Sequence, residues 1–127
     1  MLKRVHHIAI IASDYQQSKS FYVDILGLTP IREVYRKERQ SYKLDLALQD
    51  NYIIELFSFP NPPKRLTRPE GTGLRHLAFE VEDLPSVLVT LKGKGVNAEP
   101  IRIDEFTGKQ FSFIFVPDDL PIELYER

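Results

Sequence analysis

The sequence predicts an α+β fold in which one βαβββ module occurs twice. The first observation is an internal repeat: His7 matches His76, and Asp14 matches Asp83, at the same offset of 69 positions. The second is an alternation of strand-like and helix-like patterns in the same order in both halves. The third is a hydrophobic content of 43%, which is typical of a packed globular protein. We expect a single domain over 1–127, with modules at 4–59 and 74–127 joined by a linker at 60–73.

The first module begins with a strand and a helix. Residues 5–12 alternate in polarity and are rich in branched side chains, which indicates a strand. Ser13 or Asp14 caps a predicted helix over 15–26, and Gly27 ends it in the left-handed conformation. Three more strands are predicted at 31–37, 42–48 and 52–59, with a hairpin turn at Asp50–Asn51.

The second module follows the same order. A strand at 74–81 precedes a helix from Leu84 to Lys94, which Asp83 caps. Strands are then predicted near 98–103, 110–116 and 121–126. The linker holds four of the nine prolines and three basic residues, a composition typical of a connecting segment.

Charge and cysteine content exclude several classes of protein. Seventeen basic and eighteen acidic residues give a net charge of −1, so nucleic acid and anionic membranes are not expected as partners. Because the chain has no cysteine, it has no disulfide, thiolate metal ligand or cysteine nucleophile. No apolar run is long enough for a membrane span, and we expect a cytoplasmic protein.

Two histidines hold equivalent positions on the first strand of each module. Side chains alternate along a strand, so His7 shares a face with Ala9, and His76 shares a face with Ala78. The bulkier apolar side chains fall on the other face, which we expect to lie under the helices. His6 has no counterpart in the repeat and is interpreted as a packed or hydrogen-bonded neighbour.

Two glutamates repeat in the same way on the last strand of each module. Glu55 and Glu123 lie between apolar neighbours, 48 and 47 positions after their respective histidines. One such glutamate alone would be interpreted as an edge-strand solubility device. Two equivalent pairs instead predict an N₂O₂ ligand set, which suits Zn, Ni, Mn, Fe or Co. We therefore predict a divalent metal site formed by His7, Glu55, His76 and Glu123.

At these residues the chain resembles the vicinal oxygen chelate superfamily and, within it, the glyoxalase I branch. The glyoxalase, bleomycin resistance and dioxygenase proteins belong to the same family, as do small bacterial lyase-like members. The resemblance covers nearly the whole chain. It rests on these segments: His7-Ile8-Ala9, Ser18-Lys19-Ser20-Phe21-Tyr22, Leu26-Gly27-Leu28, Ile54-Glu55-Leu56, Arg75-His76-Leu77-Ala78-Phe79 and Pro117 to Leu124. Asp119 stands where the family usually has glycine, and aspartate tolerates the left-handed turn.

The resemblance implies both an architecture and a mechanism. Paired modules form a cup-shaped, barrel-like mixed sheet around one divalent ion, with Zn or Ni favoured and Mn, Fe or Co as alternatives. The substrate is a small molecule that binds through adjacent oxygens. A glutamate, Glu123 or Glu55, moves the proton, and Glu123 is the preferred candidate. A homodimer is also implied, and the ligands could meet within one chain or across two.

Substrate-contacting residues are less well defined by the sequence. Arg36 and Lys43 are candidates for binding substrate charges, although a solvated surface is the alternative for each. Asp45 lies on the strand next to Glu55. Phe113 could line a substrate pocket or belong to the core.

These observations predict a metal-dependent lyase or isomerase of the glyoxalase I type, similar to a lactoylglutathione lyase or an epimerase. Two alternatives remain open. One is an extradiol-type dioxygenase, and the other is a non-catalytic protein that sequesters a small molecule such as an antibiotic.

Overall fold

A computed structural model describes all residues, 1–127, and divides them into two compact units, Met1–Pro63 and Lys64–Arg127. We call these units the first and second modules. Each contains one four-stranded mixed sheet and one principal helix. The predicted α+β fold with two βαβββ modules is confirmed. Neither principal helix is long and apolar enough to cross a membrane.

The first module has the strand order β1-β4-β3-β2. Its outer strand β1 runs parallel to β4, and the remaining neighbours are antiparallel. Helix α1 continues as a π-helical segment, and a 3-10 turn at Lys37–Arg39 joins β2 to β3. The bounds are β1 Ile8–Ala12, α1 Tyr15–Ser20, π-helix Phe21–Ile25, β2 Thr29–Arg36, β3 Ser41–Leu48 and β4 Asn51–Ser58.

The second module repeats this topology with the order β5-β8-β7-β6. Strand β5 runs parallel to β8, and β8 and β6 both pair antiparallel with β7. A 3-10 turn at Pro117–Asp119 precedes the last strand. The bounds are β5 Leu77–Val81, α2 Leu84–Gly93, β6 Arg102–Ile103, β7 Gln110–Ile114 and β8 Ile122–Glu126.

The core of each module lies on one face of its sheet. In β4, Ile54 and Leu56 are fully buried, and in β8, Ile122 and Leu124 hold the equivalent buried positions. Because strand side chains alternate, the glutamate between each pair of core residues points to the opposite face. The repeated Ile-Glu-Leu sequence therefore places a carboxylate on the non-core face of both sheets.

The predicted helix caps and the left-handed conformations at Gly27 and Asp119 are confirmed. Asp14 accepts a hydrogen bond from the Gln17 N–H, and Asp83 accepts one from the Ser86 N–H, so each aspartate caps a helix. Gly27 has a φ of 81°, the left-handed conformation predicted for the end of the first helix. Asp119 also adopts a positive φ of 57°, so aspartate does take up this turn.

Several predicted boundaries were wrong. The helix predicted over 15–26 is α-helical only to Ser20, because the Leu26 N–H donates to the Phe21 carbonyl in a wider π-type turn. The strands predicted at 5–12 and 74–81 begin later, at Ile8 and Leu77. The strand predicted near 98–103 is reduced to two residues and an isolated bridge at Ala98.

The hairpin between β3 and β4 also differs from the prediction. The turn lies at positions 49 and 50 rather than at Asp50–Asn51, since β4 already begins at Asn51. Gln49 takes the positive φ of 55° that this turn requires. The turn is therefore one residue earlier than the Asp-Asn pair suggested.

Candidate functional site

The parallel pairing of β1 with β4 brings His7 and Glu55 together in the first module. Ala9 pairs with Glu55, and His7 lies two residues before Ala9, just outside the strand. Nε2 of His7 is 3.7 Å from Oε1 of Glu55. We call His7 and Glu55 the first half-site.

The second module forms the same arrangement. Ala78 pairs with Glu123 between β5 and β8, and His76 immediately precedes β5. Nε2 of His76 is 2.8 Å from Oε2 of Glu123. We call this pair the second half-site. Strand pairing thus gives each module one imidazole nitrogen close to one carboxylate.

Glu55 is held by two neighbouring side chains of its own sheet. Lys43 Nζ lies 3.2 Å from Oε2 of Glu55, and the Tyr52 hydroxyl lies 3.1 Å from the same oxygen. Both contacts are on the oxygen that does not face His7. Oε1 therefore remains the oxygen directed towards the imidazole.

Asp45 completes this polar group. Its Oδ1 accepts a hydrogen bond from Lys43 Nζ at 3.0 Å and lies 3.1 Å from the Tyr52 hydroxyl. The side chain of Asp45 is only 8% exposed, so its charge depends on these partners. Arg32 adds a longer contact of 3.4 Å.

The pKa shifts of Lys43 and Asp45 favour their charged forms, and that of Tyr52 favours its protonated form. The hydrogen bond to Asp45, with a further one to Glu55, raises the pKa of Lys43. Burial acts to raise the pKa of Asp45, but the hydrogen bonds from Lys43 and Tyr52 outweigh it and lower the pKa. Burial and the hydrogen bond to Asp45 raise the pKa of Tyr52, so its hydroxyl stays protonated as a donor.

Tyr52 was missed in the sequence because it lies three residues before Glu55. Regular alternation would place the two side chains on opposite faces. The sheet register shifts here, since Leu46 pairs with Ile54 while Ala47 pairs with Tyr52. This irregularity turns Tyr52 towards Glu55. The only signal in the sequence that could have suggested a role for Tyr52 is its place close to the turn at Asp50.

Around Glu123 the second module has aromatic residues where the first has charged ones. Asp45 pairs with Glu55, whereas Phe113 pairs with Glu123. The ring of Phe113 contacts His76 edge-on at a centroid distance of 5.2 Å. No lysine or arginine lies within ion-pair distance of Glu123, whose carboxylate instead contacts the His76 imidazole.

The Nδ1 atoms of the two histidines have different neighbours. Nδ1 of His7 is 2.9 Å from Nδ1 of His6, so one of these two nitrogens donates and the other accepts. Nδ1 of His76 is 3.2 Å from Nη1 of Arg75, which can only donate. The interpretation of His6 as a packed or hydrogen-bonded neighbour is confirmed, since its ring also contacts that of His7 edge-on.

The remaining sequence candidate, Arg36, lies on the same sheet as the first half-site. Its guanidinium stacks over the rings of Phe57 and Phe59. The structure thus groups Lys43 and Asp45 with Glu55 and groups Phe113 with His76. The guanidinium of Arg36, at the end of β2, lies over Phe57, two residues after Glu55 in β4.

The second module also contains a cavity of about 270 Å³ next to Phe113. Its wall includes Arg65, Arg68 and Arg102. Each guanidinium already has partners: Arg65 donates to backbone carbonyls, Arg68 pairs with Asp119, and Arg102 pairs with Glu99. The pairing of Arg68 with Asp119 connects the segment before β5 to the turn before β8.

The ligand chemistry fits a divalent ion. Each half-site offers one imidazole Nε2 and at least one carboxylate oxygen, which are donor types that first-row divalent metals accept. Neither module by itself gathers three or more His, Asp or Glu groups suited to a metal ion. Neither half-site alone is therefore a complete metal site.

The family model of the Glyoxalase/Bleomycin resistance protein/Dioxygenase superfamily matches residues 4–124. The chain therefore belongs to this superfamily. YwkD of Bacillus subtilis, an uncharacterized protein, is 61% identical, with 100% of this chain and 99% of YwkD covered. YaeR of Escherichia coli, also uncharacterized, is 58% identical, with 99% and 98% covered.

A Synechocystis sp. protein described as "Probable lactoylglutathione lyase" is 31% identical, with 94% of this chain and 92% of that protein covered. Among solved structures, a glyoxalase family protein from Enterococcus faecalis is 48% identical, with a TM-score of 0.91 and 98% of both chains covered. This agreement confirms the fold over the full chain.

Two more distant structures share the fold alone. Glyoxalase I of Leishmania major, which is trypanothione-dependent, is 23% identical with a TM-score of 0.74, covering 98% of this chain and 87% of that one. The fosfomycin resistance protein FosX of Listeria monocytogenes, solved with Mn(II) and sulfate, is 17% identical with a TM-score of 0.75, covering 100% and 94%.

Proposed function

We propose that this protein is a metal-dependent lyase or isomerase of the glyoxalase type, which moves a proton on a small substrate bound through adjacent oxygens. The observation that carries the proposal is the duplicated His–Glu pair on equivalent strands of the two modules. The superfamily assignment and the similarity to a described lactoylglutathione lyase support it.

The proposed ligands are His7, Glu55, His76 and Glu123, two from each half-site. When bound, a divalent ion would stabilise negative charge on the two substrate oxygens as a Lewis acid. Zn or Ni is the preferred metal, and Mn, Fe and Co accept the same donors. The FosX structure with Mn(II) is consistent with such an ion on this fold.

In this proposal Glu55 has a fixed, structural role. Lys43 and Tyr52 both hold its Oε2, which restricts rotation of the carboxylate.

We assign the proton transfer to Glu123. Its carboxylate contacts the His76 imidazole, and Phe113 lies opposite it in the sheet. No lysine or tyrosine holds this carboxylate in the way that Lys43 and Tyr52 hold that of Glu55, so Glu123 is the freer of the two to act as a general base. Glu123 would take the proton from the carbon next to the substrate carbonyl and return it to the carbonyl carbon.

We also propose that the protein is a homodimer. The edge strand β2 exposes apolar side chains, including Ile31, which is 54% exposed, and Tyr35, which is 52% exposed. Exposed apolar groups on a strand edge favour association. Light scattering coupled to size-exclusion chromatography tests this directly.

Metal content of the purified protein tests the proposed site. Elemental analysis of the wild type should give about one divalent ion per four-ligand set, and Glu55→Ala and His76→Ala should both lose it. Glu105→Ala, which removes an exposed carboxylate from an irregular segment outside the sheets, serves as the matched control and should keep the metal. Retention of metal by both ligand variants would contradict the proposal.

Proton exchange then tests the activity. The metal-loaded protein is incubated in D₂O with hemithioacetals of 2-oxo-aldehydes and with acyl-CoA epimers, and exchange at the α-carbon is followed by NMR. Exchange that requires the metal supports a lyase or isomerase. Oxygen consumption with Fe(II) would instead indicate a dioxygenase, and failure to take up any metal would leave a small-molecule binding protein.

A further inference from the structure

One end of the first module's sheet carries two arginines stacked on two phenylalanines. Cζ of Arg36 lies 5.0 Å from the ring centroid of Phe57 and 5.8 Å from that of Phe59. Cζ of Arg39 lies 5.3 Å from the centroid of Phe59, and the two rings stack at 5.7 Å. We call Arg36, Arg39, Phe57 and Phe59 the arginine–phenylalanine cluster.

The cluster carries two positive charges without carboxylate partners. No aspartate or glutamate forms an ion pair with Arg36 or Arg39, whereas Arg32 and Lys43 on the same sheet both pair with Asp45. Arg39 is exposed and stacks only on Phe59. The cluster therefore has an excess positive charge over an apolar floor.

The second module provides an internal comparison. Arg102 also stacks on two phenylalanines, with Cζ 4.9 Å from the ring of Phe111 and 5.6 Å from that of Phe113. Arg102 is neutralised by Glu99 at 3.4 Å. Stacking on phenylalanine thus does not require an unpaired arginine, and the missing carboxylate is specific to the first module.

Arg36 also has a donor with no acceptor. Its Nη2 donates to Ser41 Oγ at 3.0 Å, but its Nε is buried and has no hydrogen-bond partner. A buried donor without a partner is costly, and few occur in folded proteins. An acceptor that reaches Nε would remove this cost.

The cluster lies on the same face of the sheet as the first half-site. Alternation along the strand puts Glu55, Phe57 and Phe59 on one face, and Lys43 pairs with Phe57. Two residues along a strand span about 7 Å, so Phe57 lies about that distance from Glu55. One extended small molecule could therefore contact both.

We propose that the arginine–phenylalanine cluster binds an oxyanion, a carboxylate or a phosphate, at the far end of the substrate. The apolar stem of the substrate lies on Phe57, and the oxyanion accepts hydrogen bonds from Arg36 and Arg39, whose fork matches such groups. That the same molecule also reaches Glu55 rests on the proposed function. The substrate is then a small molecule whose charged end lies about 7–13 Å from its reacting oxygens.

The test measures binding to the metal-free full chain, so it does not depend on the proposed activity. NMR titrations compare 3-phenylpropanoate with its neutral counterpart 3-phenylpropanamide, following the Nε–H signal of Arg36. We expect the carboxylate to bind about tenfold more tightly than the amide and to shift that signal. Phenylphosphonate is titrated in parallel, and tighter binding of either oxyanion supports the proposal while showing which group is preferred.

Arg36→Gln should weaken oxyanion binding by about tenfold or more. Lys37→Gln removes the same charge from the adjacent turn, where no side-chain contact is made, and should change binding less than about twofold. Should Arg36→Gln fail to fold, Arg39→Gln carries the same comparison. Equal binding of acid and amide, or equal losses in Arg36→Gln and Lys37→Gln, would overturn the proposal.

Failure of this proposal and failure of the proposed function give different results. A protein that takes up metal but binds both oxyanions no better than the amide keeps its lyase-type assignment without this cluster. A protein that binds the oxyanions but takes up no metal keeps the cluster and loses that assignment.

Discussion

The Nζ atom of Lys43 lies 3.2 Å from Oε2 of Glu55 and occupies one side of that carboxylate. The same ammonium group donates to Asp45 at 3.0 Å. Lys43 therefore balances two carboxylates on the non-core face of the sheet, and its removal would leave Asp45 and Glu55 to repel each other.

We expect Lys43→Met to lower the free energy of unfolding by about 1–3 kcal/mol, because it removes the nearer of the two cations that pair with the buried Asp45 carboxylate. Chemical denaturation at neutral pH measures the change. Lys19→Met is the matched control: Lys19 and Glu33 form an ion pair in which both side chains are about one-third exposed, so the expected loss is below about 1 kcal/mol. Equal losses would contradict the role assigned to Lys43.

Tyr52→Phe should release one side of Glu55 while keeping the ring, which stacks on His7 at a centroid distance of 5.3 Å. We expect a loss of about 1 kcal/mol in unfolding free energy, since one donor to Asp45 and Glu55 disappears. Tyr35→Phe, on an exposed part of β2, should be neutral in the same denaturation experiment. If the two variants behave alike, the Tyr52 hydroxyl has no stabilising contact.

Arg75→Gln should increase metal affinity. To bind a metal through Nε2, His76 must carry its hydrogen on Nδ1, and Arg75 at 3.2 Å offers only donors there. Glutamine provides an acceptor and removes a positive charge. Competition titration with a chromophoric chelator should show affinity several-fold above wild type, whereas Arg68→Gln, which loses the same charge beside Asp119, should show little change.

Glu123→Gln should retain metal but lose proton exchange by about 10²–10⁴-fold, because the amide keeps an oxygen ligand and cannot accept the proton. Glu55→Gln should reduce exchange less than Glu123→Gln. The comparison uses NMR exchange rates at equal metal occupancy. A larger loss of proton exchange in Glu55→Gln would instead assign the proton transfer to Glu55.

Glu33 should contribute to stability in a pH-dependent way. Hydrogen bonds from Lys19 and Tyr15 lower its pKa below the ordinary value of 4.5. A lowered carboxyl pKa stabilises the fold at pH values above 4.5, and this contribution is lost as the pH falls through the folded-state pKa. Thermal unfolding of wild type and Glu33→Gln should therefore differ at pH 7 and converge as the pH falls well below 4.5. A constant difference over that range would contradict this assignment.

Much of the fold could be predicted because local and repeated signals agree. Asp14 and Asp83 each precede a helix at the same offset as the histidines, and both cap it as expected. The Ile-Glu-Leu repeat fixes which face of β4 and β8 is buried. These features depend on neighbouring residues in the chain, which a sequence displays directly.

The parts that could not be predicted depend on irregular geometry. The shift in pairing after Leu46 turns Tyr52 towards Glu55, and no local pattern announces it. The contact of Arg36 with Phe57 joins β2 to β4 across β3, so it depends on strand order. The proposed ligands were identified because they repeat, whereas these residues occur once.

We expect the parallel pairing that closes each module to form after the hairpins. Ile8 pairs with Ile54, 46 positions along the chain, and Leu77 pairs with Ile122, 45 positions along. Hairpins form faster than such distant contacts, because closing a longer loop costs more chain entropy. His7 meets Glu55, and His76 meets Glu123, only when this last pairing is complete. An ion bound to these four ligands would therefore stabilise the closed native modules over partly folded forms, and would slow unfolding.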